Sequence, residues 1–212
     1  MKGKLLVLLV GLVAATLLAS TALAAGNPYF GVMVGATWVE DAENDYGGGA
    51  TFDTEFDTGY NVGAAVGYDF GMGRLEGEIA YRQNDFDKVD VLGIDLGADG
   101  DTSALSFMVN AYWDIETGSP VTPYLGGGIG MANVSINDFQ VDFFGDVADD
   151  DDTVFAYQLA AGVGFEVAPS LVLDLGYRYF ATEDPEFEDD FGDKFDSEYA
   201  THNASVGLRM NF

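Results

Sequence analysis

No cysteine occurs among the 212 residues, so there is neither a disulfide framework nor a thiolate metal site, and no cysteine follows the N-terminal apolar stretch to carry a lipid anchor. Basic residues are scarce: eight Lys and Arg stand against 36 Asp and Glu, for a formal net charge of −28. A chain this anionic is repelled by phosphate backbones, which excludes nucleic acid as a partner. Histidine occurs once, at His202. Long apolar runs are missing beyond residue 26. A spanning helix needs roughly twenty apolar residues, so any membrane crossing by this chain is made by strands. The one continuous apolar stretch, Leu5 to Leu18, follows Lys2 and Lys4 and precedes Ala22-Leu23-Ala24. That is the charged, apolar and small-residue order of a signal peptide, and it is too short to span. Residues 1–25 are therefore expected to be cleaved, leaving residues 26–212 as one exported domain.

What fills that domain is a period of two. Side chains on a strand alternate between faces, and eight segments sort apolar residues onto one face. Tyr29 to Val39 puts Phe30, Val32, Val34, Ala36 and Trp38 opposite Gly31, Met33, Gly35 and Thr37. Gly59 to Phe70 alternates in the same way, and the third segment sets Leu75, Gly77, Ile79 and Tyr81 against Arg74, Glu76, Glu78, Ala80 and Arg82. Leu105 to Asp114, Thr122 to Ser135, Phe155 to Val167, Leu171 to Phe180 and Tyr199 to Phe212 complete the set. Three short connections, Gly71-Met72-Gly73, Glu116 to Pro120 and Ala168-Pro169-Ser170, alternate with four long acidic ones at about 40–58, 84–102, 137–152 and 181–198. The expected fold is all-β, an eight-stranded antiparallel up-and-down transmembrane β-barrel.

Alternation alone does not separate a membrane barrel from a water-soluble one. All four arginines, Arg74, Arg82, Arg178 and Arg209, fall on the polar strand faces, and the lysines beyond the leader, Lys88 and Lys194, fall in the long connections. The polar face is otherwise rich in Gly, Ala and Ser, as a narrow packed interior requires. On the apolar face, Phe30, Tyr68, Phe70, Trp113, Phe165 and Phe212 gather toward the short turns. Trp38, Tyr60, Tyr81, Phe155, Tyr157, Tyr177 and Tyr179 gather toward the long connections. Two aromatic girdles bound a membrane-embedded band, so lipid is expected on the apolar face and the ionic face is expected to be enclosed.

The enclosed charges form the strongest candidate site: Arg74, Arg82, Arg178 and Arg209 against Glu76, Glu78 and Asp174, with Asp69, Asp114 and Glu166 on the same face. In so narrow a bore opposite charges pair and form a plug, with Arg209 and Asp174 expected as one pair; a small gated pore is the other use of the same residues. The long connections hold 29 of the 36 acidic residues. Asp149-Asp150-Asp151-Asp152 is the weak metal candidate, since clustered carboxylates suit Ca²⁺ or Mg²⁺. It lacks the spacing of a dedicated calcium loop, so a solvated charged surface is the plainer reading. His202 and Ser205 fall on opposite faces, so no catalytic pair forms and no enzyme activity is expected. Gly126, Gly128 and Gly130 alternate along a strand and open no helix, so they hold no nucleotide, and no cofactor is expected.

Gly59-Tyr60-Asn61-Val62-Gly63-Ala64-Ala65-Val66-Gly67-Tyr68 and Arg74-Leu75-Glu76-Gly77-Glu78-Ile79-Ala80-Tyr81-Arg82 resemble the second and third strands of small bacterial outer-membrane barrels of the opacity and outer-membrane-protein-A type, the porin family in the broad sense. Pro123 to Gly130, Leu175 to Tyr179 and Val206 to Phe212 resemble the same family at strands five, seven and eight. The resemblance implies the Gram-negative cell outer membrane as location, with lipid and lipopolysaccharide around the barrel. It also implies that the terminal Phe212 belongs to the signal read by the barrel assembly machinery. The expected function is a surface protein with a structural or adhesive role through its acidic extracellular loops, which contact an external partner or bind divalent cations weakly. The alternative is a narrow channel for ions or small solutes.

Overall fold

The computed structural model describes residues 26–39, 42–45, 51–91, 94–141, 145–188, 194–197 and 199–212. The expected leader, residues 1–25, lies outside the described residues. Twelve strands follow in order: β1 (Asn27–Val39), β2 (Ala42–Asp45), β3 (Thr51–Phe56), β4 (Gly59–Asp69), β5 (Gly73–Val91), β6 (Ile94–Asp114), β7 (Val121–Val141), β8 (Gly145–Ala168), β9 (Leu171–Thr182), β10 (Glu186–Glu188), β11 (Lys194–Ser197) and β12 (Ala200–Asn211). Eight of them close a ring, β1-β4-β5-β6-β7-β8-β9-β12, and every neighbouring pair is antiparallel. The first and last strands zip together from Tyr29 opposite Asn211 to Val39 opposite Thr201, so the ring has no open edge. Closure satisfies every barrel ladder internally, as hydrocarbon demands.

The alternation sorts as the sequence requires. Tyr29 and Thr37 of β1 are buried while Phe30, Val32, Val34 and Trp38 are exposed. On β6 the buried set is Ser106, Met108, Asn110, Tyr112 and Asp114, and Leu105 and Trp113 point outward. About half of the residues buried in this fold are polar or charged while a long series of large apolar ones is exposed, the reverse of a water-soluble protein. Leu159 (62 % exposed), Ile129 (60 %) and Val66 (52 %) belong to a band running around the whole barrel. An apolar surface that continuous is a lipid-facing one. Trp38, Tyr60, Tyr157 and Tyr177 rim it toward the long connections, and Phe70, Trp113 and Phe212 toward the short turns.

Two glycines make room for rings that plug the interior. A Cβ at Gly126 would run into the Tyr112 ring, and one at Gly162 into the Tyr124 ring. Tyr112 and Tyr124 meet edge to face, 5.5 Å between centroids, and close the lower half of the bore.

The structure corrects the reading of the long connections as loops. Residues 84–102 and 137–152 are largely strand: the β5/β6 ladder continues to Val91 opposite Ile94, and the β7/β8 ladder to Val141 opposite Gly145. The first and fourth connections contain β2, β3, β10 and β11, which pair with one another, β3 also pairing with β5. Acidic composition disfavours strand only weakly. A ladder already registered by the barrel adds each further pair without a new nucleation cost, and Val89 and Val91 opposite Leu96 and Ile94 keep the period of two. Register shifts at Asp85/Lys88 and Asp99/Asp101 mark where the hairpins depart from the barrel's regular pleat.

Candidate functional site

The inward faces of the ring stack their polar side chains in layers along the bore. Nearest the short turns, Arg74 Nε of β5 donates to both oxygens of Asp114 on β6, at 2.8 and 3.1 Å. Its guanidinium lies over the rings of Tyr112 and Tyr124 at 4.7 and 4.8 Å. At similar depth Arg209 Nη2 of β12 stands 3.7 Å from Asp174 Oδ2 of β9, with its guanidinium 5.4 Å from the Tyr29 ring.

The middle layer is built on β5. Glu76 accepts from Tyr29 Oη (2.9 Å), Asn110 Nδ2 (3.2 Å) and Tyr112 Oη (3.3 Å). Glu78 pairs with Arg178 Nη2 of β9 at 3.3 Å and accepts from Asn110 and Gln158. Gln158 Nε2 donates to Asn110 Oδ1 at 2.6 Å, and Arg178 also contacts the Met33 sulfur. Carboxylate pairing through neutral amides and phenols spreads each buried charge over several dipoles, which is what a low-dielectric interior requires.

The layer toward the long connections is headed by Arg82, 1 % exposed. Among the described residues it pairs with no carboxylate. Its Nη1 donates to Ser106 Oγ (2.9 Å), its Nε to Asn203 Oδ1 (3.3 Å), and its guanidinium sits 4.0 Å above the Phe180 ring. Thr37, Asn84 and Thr201 are fully buried beside it. Between the layers remains a cavity of about 50 Å³, lined by Glu76, Arg74, Arg178 and Arg209 among others, room for a few waters and no solute. Below Arg209 the bore widens into a vestibule of about 420 Å³ at the short-turn mouth.

Residues 5–212 match the family of the outer membrane protein beta-barrel domain. The chain belongs to that family. It is thus an outer-membrane barrel, with the outward apolar band set in the outer membrane. Gonococcal opacity protein opA56 (Neisseria gonorrhoeae) is 27% identical over 187 residues, covering 70% of this chain and 76% of the relative. An uncharacterised Brucella abortus protein is 39% identical over 84 residues, 36% of this chain. The matched stretch is only 30% of that Brucella protein's length. Among solved structures, neisserial surface protein A superposes with a TM-score of 0.53 at 23% identity, over 86% of this chain and 97% of that one. That likeness is one of fold.

Of the charges expected in the lumen of this outer-membrane barrel, Arg74, Glu76, Glu78, Arg82, Asp174, Arg178 and Arg209 all reach it, and three of the four arginines face a carboxylate there. Sequence parity puts Asn110, Tyr112, Tyr124, Gln158 and Asn203 on the inward face, but sequence reasoning did not count them, or Tyr29, among the site residues that complete the layers. Their parity with the arginines was the signal. The aspartate run does not converge. Asp149 lies in β8 with its side chain outside the described residues. Asp150 Oδ1 accepts from the Asp151 N–H, Asp151 Oδ2 from Asn133 Nδ2, and Asp152 Oδ2 from the Glu186 N–H. Among the described residues no group of three or more His, Asp or Glu side chains is placed to hold a metal ion. His202 faces outward, its Nδ1 2.5 Å from Tyr177 Oη and its ring against Tyr177 and Tyr179, while Ser205 sits on the opposite face of β12.

Proposed function

We propose that this outer-membrane barrel is a non-enzymatic surface interaction module: a sealed anchor that holds rigid acidic hairpins outside the cell for an external partner. One observation carries the reading: the β5/β6 and β7/β8 ladders run on past the aromatic girdle as paired strands, above a bore filled by three layers of bonded side chains. A sealed bore leaves transport little to work with, and a registered hairpin presents side chains with far less ordering cost than a flexible loop. The likeness to an opacity protein supports the same direction. The acidic excess selects partners of basic character, and it engages lipopolysaccharide phosphates through bridging divalent cations. Phe212, 70 % exposed at the short-turn rim, is available to the barrel assembly machinery.

The test compares intact cells displaying the wild type with cells displaying a barrel whose β5/β6 hairpin is cut back between Asn84 and Thr102, a pair that faces across the ladder. Binding to host-cell or matrix surfaces should fall with the cut while the amount and heat-modifiable gel mobility of the barrel stay the same; equal binding by both sinks the proposal. A narrow channel is the second reading, favoured by the cavity and the vestibule lying in series across the layer that holds the Arg74–Asp114 and Arg209–Asp174 pairs. Planar-bilayer recording separates the two: steady wild-type conductance that changes on Arg82→Ala selects the channel.

A further inference from the structure

Outward of the barrel ring, β10 lies beside β8, and among the described residues no ladder joins them. The β8/β9 ladder runs outward to Ala156 opposite Thr182 and gains one further backbone bond, from the Glu183 N–H to the Phe155 carbonyl at 2.9 Å. The same register, carried on, puts Pro185 opposite Thr153. Proline has no N–H to donate, so the ladder stops there. The proline ring is fully buried, and the next residue opens β10, which pairs with β11.

What spans this seam is the aspartate run. Alternate residues of a strand turn their backbone groups to the same side. The Phe155 carbonyl faces the Glu183 N–H and the Asp152 carbonyl faces Asn133 of β7, so the amides of Asp151 and Thr153 face β10. Both are taken by side chains instead of carbonyls. Asp150 Oδ1 accepts from the Asp151 N–H at 2.8 Å, and Asp152 Oδ1 from the Thr153 N–H at 2.7 Å. The second oxygen of Asp152 reaches across the seam to the Glu186 N–H at 3.2 Å. Asp150, Asp151 and Asp152 thus stand on one side, with Glu183, Asp184 and Glu186 on the other. From β7 comes the neutral Asn133, and the arginines lie below in the bore.

We propose that β10 is an acid-sensitive strap: charge holds it off β8 near neutral pH, and protonation of the seam carboxylates lets it zip on and continue the β8/β9 ladder outward. Two effects act in the same direction. Like charges facing each other across the seam oppose its closing, and a protonated carboxyl is a weaker cap than a carboxylate, because charge-assisted hydrogen bonds are roughly twice as strong as neutral ones. Acid removes both. The Asp151 and Thr153 amides then pass to the carbonyls that the register places opposite them, those of Phe187 and Pro185. Proline lacks only the donor; its carbonyl still accepts. The strap works the same way whether or not the hairpins bind a partner outside.

The test is amide hydrogen exchange of the full mature barrel in detergent micelles, read residue by residue and corrected for the intrinsic rate at each pH. From about pH 7 to about pH 3.5, protection of Asp151 and Thr153 should rise by about tenfold or more, while Ala161 and Gly162 in the barrel stay protected throughout. Asp150→Ala/Asp152→Ala removes both caps and two of the charges, so it should show the raised protection already at pH 7 and lose most of the pH response. Wild-type amides with equal protection at both pH values overturn the proposal, as does a double variant no better protected than wild type at pH 7. A rise shared equally by Val89 and Leu96 of the β5/β6 hairpin overturns it too, because the outer strands would then be tightening in acid as a whole.

Discussion

Replacing Arg74 with methionine tests whether the lowest lumen layer is held by a specific ion pair or by packing alone. The substitution keeps most of the apolar stem and deletes the guanidinium whose Nε bridges both oxygens of Asp114 at 2.8 and 3.1 Å. It also deletes a cation held over two tyrosine rings at 4.7 and 4.8 Å. Orphaning a buried carboxylate costs about 3–5 kcal/mol. Asp114 borders the vestibule, so water reaches it on relaxation, which places the cost near the lower end, about 3 kcal/mol. Losing the two cation–π contacts adds ~1 kcal/mol. Arg74→Met/Asp114→Leu removes both charges and should recover most of the loss, because a well-packed apolar pair replaces a buried ionic one at little cost. The assay is urea unfolding of the refolded barrel in lipid vesicles, followed by the fluorescence of Trp113, next to Asp114 on β6. With a slope of ~2 kcal/mol per molar, the single variant should lose about 2 M in midpoint and the double less than half of that. A double variant whose loss equals the sum of the two single losses would show that no coupling exists, and the layer would have to be reread as packing.

The remaining expectations address the lipid face, the close approaches and assembly. Leu159→Arg, in the middle of the exposed band, should destabilise the vesicle-embedded barrel by about 2–4 kcal/mol, and Trp38→Arg at the girdle by about 1 kcal/mol beyond its lost ring; equal costs would mean that lipid does not touch this face. Gly162→Ala drives a methyl into Tyr124 and should cost about 1–3 kcal/mol by thermal or urea unfolding, whereas Gly77→Ala, where a Cβ meets nothing, should stay within about 0.5 kcal/mol of wild type. Phe212→Ala should lower the amount of barrel recovered from outer-membrane fractions several-fold while leaving the urea midpoint of refolded protein within ~1 M, since the ring is mostly exposed; an unchanged amount would remove Phe212 from the assembly signal.

The barrel was legible because one face of each segment answers to lipid and the other to a crowded bore. Charge at Arg74, Glu76, Glu78 and Arg82, all of one parity along β5 with Ala80 between the last two, leaves a single consistent orientation, and parity then propagates to every paired strand. The long connections were misread because Asp and Gly dominate their composition, while the property that matters there is the register handed on by the barrel. Propensity describes an isolated residue; a growing ladder overrides it. Site partners were legible only where charges of opposite sign sit at similar depth, as Arg209 and Asp174 do. That Arg82 would meet Asn203, Ser106 and Phe180 depends on barrel stagger, which alternation does not encode.

The same layers imply an electrostatic seal in addition to the steric one. Four arginines and four carboxylates share the enclosed layers, yet they do not pair off completely: Glu76 is held by Tyr29, Tyr112 and Asn110, and Arg82 by Ser106, Asn203 and Phe180. These two leftover charges sit six residues apart on β5, roughly 20 Å along the strand, with the cation toward the outer end. A cation arriving from outside meets an unneutralised guanidinium in a low-dielectric constriction; an anion arriving from the periplasm meets the four carboxylates of the vestibule before it reaches Arg209. Each sign of ion is opposed at its own entrance, so side-chain fluctuations that briefly widen the bore admit neither. Arg82→Ala alone should therefore give at most brief cation-selective events, with Glu76 still holding any cation that enters. Arg82→Ala/Glu76→Gln, which removes the outer barrier and the inner trap together, should conduct steadily and favour cations. Anion selectivity in the double variant would contradict the argument, because it would place the dominant field of the bore on the arginines and not on the carboxylates of the vestibule.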